Sequence, residues 1–258
     1  MKKIIIFILI TLSFSLGAQE MTVTKILEGY ERTAFIPNIT ASLTVKLISA
    51  NGEVREIKAD AYQKNIDKNL VSRLFLFDYP PSVRNTGLLI NSFLDGSENV
   101  MWIYLPAVKR VKRIALSTSG GGYFMGSDFS YSDFISKSGN DYTYEYMGED
   151  TLNGTNCYIV KEYGTTLQKR QDSKVSYMIV YFRKDDFIMF GRDYYDLAGE
   201  LVKEYRVKDV VVLGQYIYPT VIEMTNVQTG HRSILEMINS NTEVIPNRYF
   251  TTRFLQKR

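Results

Sequence analysis

Cysteine and histidine each occur once in the 258 residues, as Cys157 and His231. A single cysteine excludes an internal disulfide and any zinc or iron–sulfur site built on several thiolates. A single histidine excludes a histidine-rich metal site and leaves one candidate for any catalytic triad. Proline is scarce, at 6 residues, and tryptophan occurs once. Neither sign of charge dominates: Lys+Arg is 31 against 28 Asp+Glu, and setting aside residues 1–18 removes only Lys2 and Lys3, leaving 29 against 28. That balance carries no nucleic-acid footprint. Tyrosine, in contrast, is abundant at 19 residues, within an aromatic share of 13%. Many tyrosines and few prolines suit a sheet-rich chain. The 45% hydrophobic and 23% charged shares are those of an ordinary globular protein.

The first residues point to a compartment. Met1-Lys2-Lys3 is a basic start, residues 4–16 form an apolar run too short for a comfortable membrane span, and Leu16-Gly17-Ala18 supplies small residues for cleavage. Residues 1–18 therefore read as a secretory signal, and residues 19–258 as one mature domain, expected in the bacterial periplasm. No cysteine follows the cleavage site, so no lipid anchor is expected there. No later stretch approaches 18 consecutive apolar residues.

Periodicity then sets the elements. Val23, Ile26, Leu27, Tyr30 and Ala34 recur at helical spacing, with Thr22 as a cap and Pro37 just beyond. From residue 39 the period becomes two, with Leu43, Val45 and Leu47 alternating with polar residues up to the hairpin signal Asn51-Gly52. Further strands are expected at 70–79, 87–93, 100–105, 108–116, 142–148, 157–162, 175–183, 187–195, 201–213, 216–226 and 234–238. Residues 117–134 break the pattern with Gly120-Gly121-Gly122 and a run of aromatics, where Asp128 is expected to cap one short helix. The polar stretch 164–173 reads as a loop. About a dozen short strands with turn signals indicate one antiparallel sheet, with the helices against one face.

Catalytic constellations are weak. His231 lies at a hairpin tip with no nucleophile elbow nearby and reads as a solvated turn residue. Cys157 sits in an apolar run and reads as an inert buried thiol. Asp185-Asp186 reads as a polar turn. The triple glycine lacks the Gly-Lys-Ser/Thr of a phosphate loop. No catalytic, metal or cofactor site is expected. Two features stand out instead. Lys109, Arg110, Lys112 and Arg113 place basic residues on both faces of one strand, which suits an edge strand, or a contact with anionic head groups or a partner. Leu74, Phe75, Leu76, Phe77, then Met101, Trp102, Ile103, Tyr104, then Phe124, Met125, Phe129, Tyr131 and Phe134 exceed what two short helices readily cover. They fit either a thick core or an apolar cavity under a lid.

The residues at 102–107, Trp-Ile-Tyr-Leu-Pro-Ala, those at 109–114, Lys-Arg-Val-Lys-Arg-Ile, and those at 122–131, Gly-Tyr-Phe-Met-Gly-Ser-Asp-Phe-Ser-Tyr, with Asp133, resemble the signature of the long LolA-like outer-membrane lipoprotein-sorting proteins. Pro80, Pro81, Arg84, Leu88 and Leu89 upstream, and Tyr194-Tyr195-Asp196, Pro219, Met224-Thr225-Asn226 and the ending from Ile245-Pro246-Asn247 to Leu255, fit the same pattern. The resemblance implies a strongly curved, unclosed antiparallel sheet, a half barrel, with an N-terminal and a short central helix covering its concave face. It implies a soluble periplasmic carrier that holds acyl chains of lipoproteins or lipids. The expected partners are an inner-membrane transporter of the RND superfamily and an outer-membrane acceptor. A periplasmic sensor or adaptor on the same fold is the alternative.

On that basis residues 120–134 are expected to form a lid hinged at Gly120, Gly121, Gly122 and Gly126. Phe124, Met125, Phe129, Tyr131 and Phe134 would plug the cavity, Leu74, Leu76, Trp102 and Tyr104 would line it, and the basic cluster 109–113 would meet head groups or a partner.

Overall fold

In this computed structural model, residues 21–114, 122–136 and 141–257 are described. The proposed signal segment, Gly120 and Gly121 lie outside them. The first element is a helix, α1 (Val23–Ala34), whose capping residue Thr22 accepts a hydrogen bond from the Lys25 amide. Its apolar stripe buries Ile26 and Gly29.

Strands follow in two meanders. The first is β1 (Asn38–Ile48), β2 (Val54–Asn65), β3 (Leu70–Tyr79), β4 (Gly87–Phe93), β5 (Val100–Leu105) and β6 (Arg110–Ile114). The second is β7 (Tyr142–Leu152), β8 (Thr155–Gly164), β9 (Tyr177–Arg183), β10 (Met189–Tyr195), β11 (Leu201–Leu213), β12 (Tyr216–Asn226) and β13 (Arg232–Asn241). The helices α2 (Leu167–Ser173) and α3 (Thr252–Gln256) complete the chain.

All thirteen strands form one antiparallel sheet, because β1 pairs with β13 and joins the two meanders. β6 and β7 are its two free edges, so the sheet is not closed into a barrel. A flat sheet would hold the β4–β5 turn roughly 50 Å from β7. Here Gly96–Asn99 of that turn and Tyr142 of β7 line one cleft. The sheet is therefore strongly curved.

Topology then dictates what covers the inner face. The connection from Ile114 to Tyr142 must run from one free edge to the other. Its described part, residues 122–136, crosses the inside of the curve and packs with α1 on the larger core cluster, which includes Leu43, Val45, Phe75, Phe77, Leu88, Ile90, Met101, Val160, Val180 and Leu235. The opposite face of β3–β5 carries a second cluster, Leu74, Leu76, Leu89 and Tyr104, covered by Ile245, Phe250 and Leu255 of the C-terminal segment.

Several expectations are corrected. The central segment forms two short 3-10 turns, at Phe124–Gly126 and Tyr131–Phe134, and not one helix. Ser130 caps the second, with Asp133 closing the capping box, while Asp128 is engaged elsewhere. Residues 106–108 make a 3-10 turn ahead of β6, so the expected strand at 108–116 is shorter within the described residues. The polar stretch 164–173 holds α2, started by a hydrogen bond from the Lys169 amide to the Thr166 hydroxyl.

Gly29 shows how tightly α1 docks. A Cβ built there would lie 2.4 Å from Cγ of Phe187, inside any normal contact. Alanine favours a helix over glycine by about 1 kcal/mol, but overpacking a closed contact costs about 1–3 kcal/mol. Gly29→Ala should therefore lower the thermal midpoint by about 2–4 °C per kcal/mol of net loss. A raised midpoint would show that the Phe187 ring swings aside freely.

Candidate functional site

The inner face is closed by a short folded segment. Residues 122–131 double back on themselves: the Phe124 amide donates to the Phe129 carbonyl at 2.7 Å and the Tyr131 amide to the Gly122 carbonyl at 3.0 Å. Gly122 and Gly126 have φ of +89° and +81°, a left-handed backbone that glycine adopts without strain. The fold back presents a block of rings to the sheet. Phe124 lies 5.2 Å from Phe75, 5.9 Å from Phe77 and 4.4 Å from Phe134 between ring centres, and Phe129 lies 6.3 Å from Tyr205. Phe124 and Phe129 are buried, as is Tyr131 at its margin, and Met125 and Phe134 pack on the same cluster.

Polar contacts tether this plug. Asp128 Oδ2 accepts from Ser233 Oγ at 2.7 Å and lies 2.6 Å from His231 Nδ1, while the Asp128 amide donates to Ser233 Oγ. Lys203 Nζ donates to Ser130 Oγ at 3.0 Å and to the Asp128 carbonyl at 3.3 Å. The Tyr194 hydroxyl donates to Asp133 Oδ1 at 2.9 Å. Arg73 Nη1 donates to the Phe134 carbonyl at 2.8 Å and to Ser136 Oγ at 3.1 Å. Burial lowers the Arg73 pKa from its ordinary value. His231 is thus a plug contact and not a solvated turn residue. Asp186 belongs to the β9–β10 turn, forked by Arg183 and with its carbonyl bonded by the Thr33 hydroxyl. Cys157 is buried, and burial raises its thiol pKa.

Four expected lining residues lie elsewhere. Leu74, Leu76, Trp102 and Tyr104 belong to the outer cluster under the C-terminal segment. The pleat is the reason: Phe75 and Phe77 alternate with them and face the plug, and so does Ile103. Lys109, Arg110, Lys112 and Arg113 are exposed at edge strand β6, with Arg113 paired to Glu98 at 3.1 Å. None of the four lines the cleft.

That cleft, about 750 Å³, opens beside the plug. Tyr123, Ser130, Asp133 and Ser136 of the plug form one wall; Tyr142, Tyr163, Tyr177, Arg192, Tyr194 and Lys203 of the second meander form the other. Burial raises the pKa of Tyr142, Tyr144 and Tyr194, and the carboxylate neighbours Glu162 or Asp133 add to it. Sequence reasoning missed Arg192 and Lys203. Their signal was present, since Lys203 shares a strand face with Tyr205 and Val207, and Arg192 with Tyr194.

The inner-face tyrosines have a measurable consequence. Burial raises the pKa of Tyr30 and Tyr205, and holds Tyr218 up at about 12. Above pH 10 the unfolded chain releases these protons and the folded one keeps them, so stability falls as pH rises. The slope is about 1.4 kcal/mol per pH unit for each such tyrosine. Tyrosinate absorbance near 295 nm should therefore rise in two stages, exposed rings first and the inner ones in one step with unfolding. A single smooth titration of all tyrosines in a still-folded chain would contradict this burial.

A family model described as an uncharacterized protein family matches residues 69–257. No curated protein matches the chain. Among solved structures, an outer-membrane lipoprotein-sorting protein domain from Vibrio parahaemolyticus is 24% identical, with 90% of this chain and 97% of that one covered and a TM-score of 0.82. A DUF1329 family protein from Desulfovibrio piger is also 24% identical, covering 90% and 95%, with a TM-score of 0.79. A LolA superfamily protein from Nitrosomonas europaea is 16% identical, covering 91% and 100%, with a TM-score of 0.69. The chain belongs to the family which that model describes, and its half-barrel fold is that of the long LolA-like lipoprotein-sorting proteins.

Proposed function

We propose that the protein is a soluble periplasmic carrier that takes hydrocarbon chains of lipoproteins or lipids onto its inner face when the plug 122–136 withdraws. The observation that carries this reading is the plug itself. It is a ring cluster inside the curve of the sheet, joined to it by side-chain tethers and by no strand ladder.

The energetics suit exchange. Burying a sixteen-carbon chain is worth roughly 12 kcal/mol at about 0.8 kcal/mol per methylene. Three phenyl rings returned to the inner face are worth on the order of 4.5–9 kcal/mol, with each net hydrogen bond adding about 1 kcal/mol. The two sums are comparable, so filling and emptying differ by little and transfer is reversible. Arg73, anchored on β3 and bonded to the plug backbone, acts as its latch. Export by the segment 1–18, a single mature domain, and an RND-type donor with an outer-membrane acceptor are parts of the same proposal. Among the described residues no helix is long and apolar enough to cross a membrane. The exposed basic edge strand β6 is the surface offered to such partners.

Protein purified from membranes without detergent should carry lipid in native mass spectra and, once delipidated, bind a fluorescent fatty acid. Failure of both overturns the carrier, and retention of a protein partner without lipid would favour the adaptor. Phe124→Ala should destabilise the empty protein by about 3–5 kcal/mol. It should also tighten fatty-acid binding, since the plug competes with the ligand. Arg73→Gln should tighten it in the same direction, and weakened binding in both variants would show that the plug holds the ligand and does not compete with it.

A further inference from the structure

We infer that the floor of the cleft binds an anionic head group of the phosphate-ester class, so that the molecule carried is an anionic amphiphile and not a neutral acyl chain. The inference rests on the carrier reading for the tail and on a separate set of residues for the head.

Hydrocarbon alone asks for an apolar inner face. The second meander instead places Glu162, Arg192 and Lys203 on that face, with side chains only 4%, 12% and 10% exposed. A buried charge is costly unless it is well paired. The pairing here is incomplete on the cationic side. Arg192 Nη2 lies 3.9 Å from Glu162 Oε2 and 2.9 Å from Met189 Sδ, a weak acceptor, and its guanidinium also bonds Tyr194, but the buried Arg192 Nε has no hydrogen-bond partner. Lys203 Nζ is 3.9 Å from Asp133 Oδ2 and otherwise bonds neutral oxygens. Arg73 also bonds neutral oxygens.

The carboxylates around the cleft are engaged. Asp133 accepts from the Ser130 amide and the Tyr194 hydroxyl, and Asp141 pairs with Lys169 at 2.5 Å. Asp196 accepts from two turn amides, and Glu98 pairs with Arg113. The donor left without a partner at the cleft is Arg192 Nε, and a phosphate oxygen is a stronger acceptor for Lys203 than the neutral oxygens it now holds.

The geometry fits one anion. Arg192 and Lys203 both line the cleft and flank the ring of Tyr194, at 5.9 and 4.8 Å from its centre. A guanidinium fork matches phosphate oxygens in pairs, and the ammonium adds a point charge. Tyr142, Tyr177 and Lys174 also line the cleft. A head group seated there lies beside Ser130 and Asp133, so its tail points at the ring cluster. Lys203 is shared: an anion that engages it competes with Ser130 and the Asp128 carbonyl, and so loosens the plug as the head group enters.

The test compares two single-chain amphiphiles with the same sixteen-carbon tail by calorimetry, lysophosphatidylglycerol and monopalmitoylglycerol, on the delipidated mature chain, with glycerol phosphate as a third ligand. The phosphate lipid should bind at least ~10-fold more tightly, the scale of one charge-assisted contact. Arg192→Gln should erase that preference and leave monopalmitoylglycerol binding within about two-fold, while Arg192→Lys keeps most of it. Equal affinity of the wild-type chain for both lipids overturns the head-group site and leaves the carrier. Binding of glycerol phosphate but of neither lipid, lost in Arg192→Gln, overturns the carrier and assigns the site to a free phosphate ester. No binding of any of the three overturns both. The wild-type comparison decides the matter even where a variant fails to fold.

Discussion

The inner face of this sheet has to be covered by chain that belongs to none of its ladders. Two meanders joined through β1 and β13 leave β6 and β7 as edges, and the chain must still connect them. Because the sheet curves, the connection runs through the hollow. A segment placed there can bury rings against the sheet without adding main-chain bonds to it. That combination, deep burial held by side-chain bonds and by no main-chain ladder, separates residues 122–136 from every strand around them and makes a reversible cover physically reasonable.

The inner face is also divided. β1 to β5 contribute aliphatic and phenyl groups, such as Leu43, Val45, Phe75 and Ile90. β7 to β11 contribute Val160, Val180 and Phe182 but also tyrosines and the charged Glu162, Arg192 and Lys203. The plug matches that division: Phe124 and Phe134 meet Phe75, while Ser130 and Asp133 face Lys203 and Tyr194. A low-dielectric hollow strengthens each of these polar contacts and makes each expensive to leave unmade. An amphiphile can satisfy both halves at once, which a bare hydrocarbon cannot do.

Much of this was legible in the sequence, because period-two alternation locates strands well. The strands at 201–213 and 216–226 fall where alternation and the Leu213-Gly214 turn place them. The face of a strand that is apolar on both sides was not legible. In β3, Leu74 and Leu76 alternate with Phe75 and Phe77, and nothing local says which pair meets the plug. The answer depends on Leu255, whose Cδ2 a Cβ on Gly87 would approach to 2.7 Å, from the far end of the chain. Asp128 was misread for the same reason. As a helix cap it satisfies a local rule, but its partners are His231 and Ser233, more than a hundred residues away. Lys203 and Arg192 carry no local mark of burial except Tyr205 and Tyr194 on their faces, because a charged residue in a strand ordinarily faces solvent.

The two covers of the sheet differ in kind, and the difference argues for which one moves. The C-terminal segment lies on the outer face through Ile245, Phe250 and the fully buried Leu255, fitted against a glycine that leaves it room. Lifting it would expose apolar surface to water with nothing to replace it. The plug is held partly by bonds that other groups can make: the cations Arg73 and Lys203 hold neutral oxygens, and a phosphate is a stronger partner for either. Its rings cover a surface that an acyl chain can cover equally well. Release of the plug therefore leaves the cations and the apolar surface of the sheet with replacement partners when an amphiphile arrives, whereas release of the C-terminal cover leaves apolar surface bare.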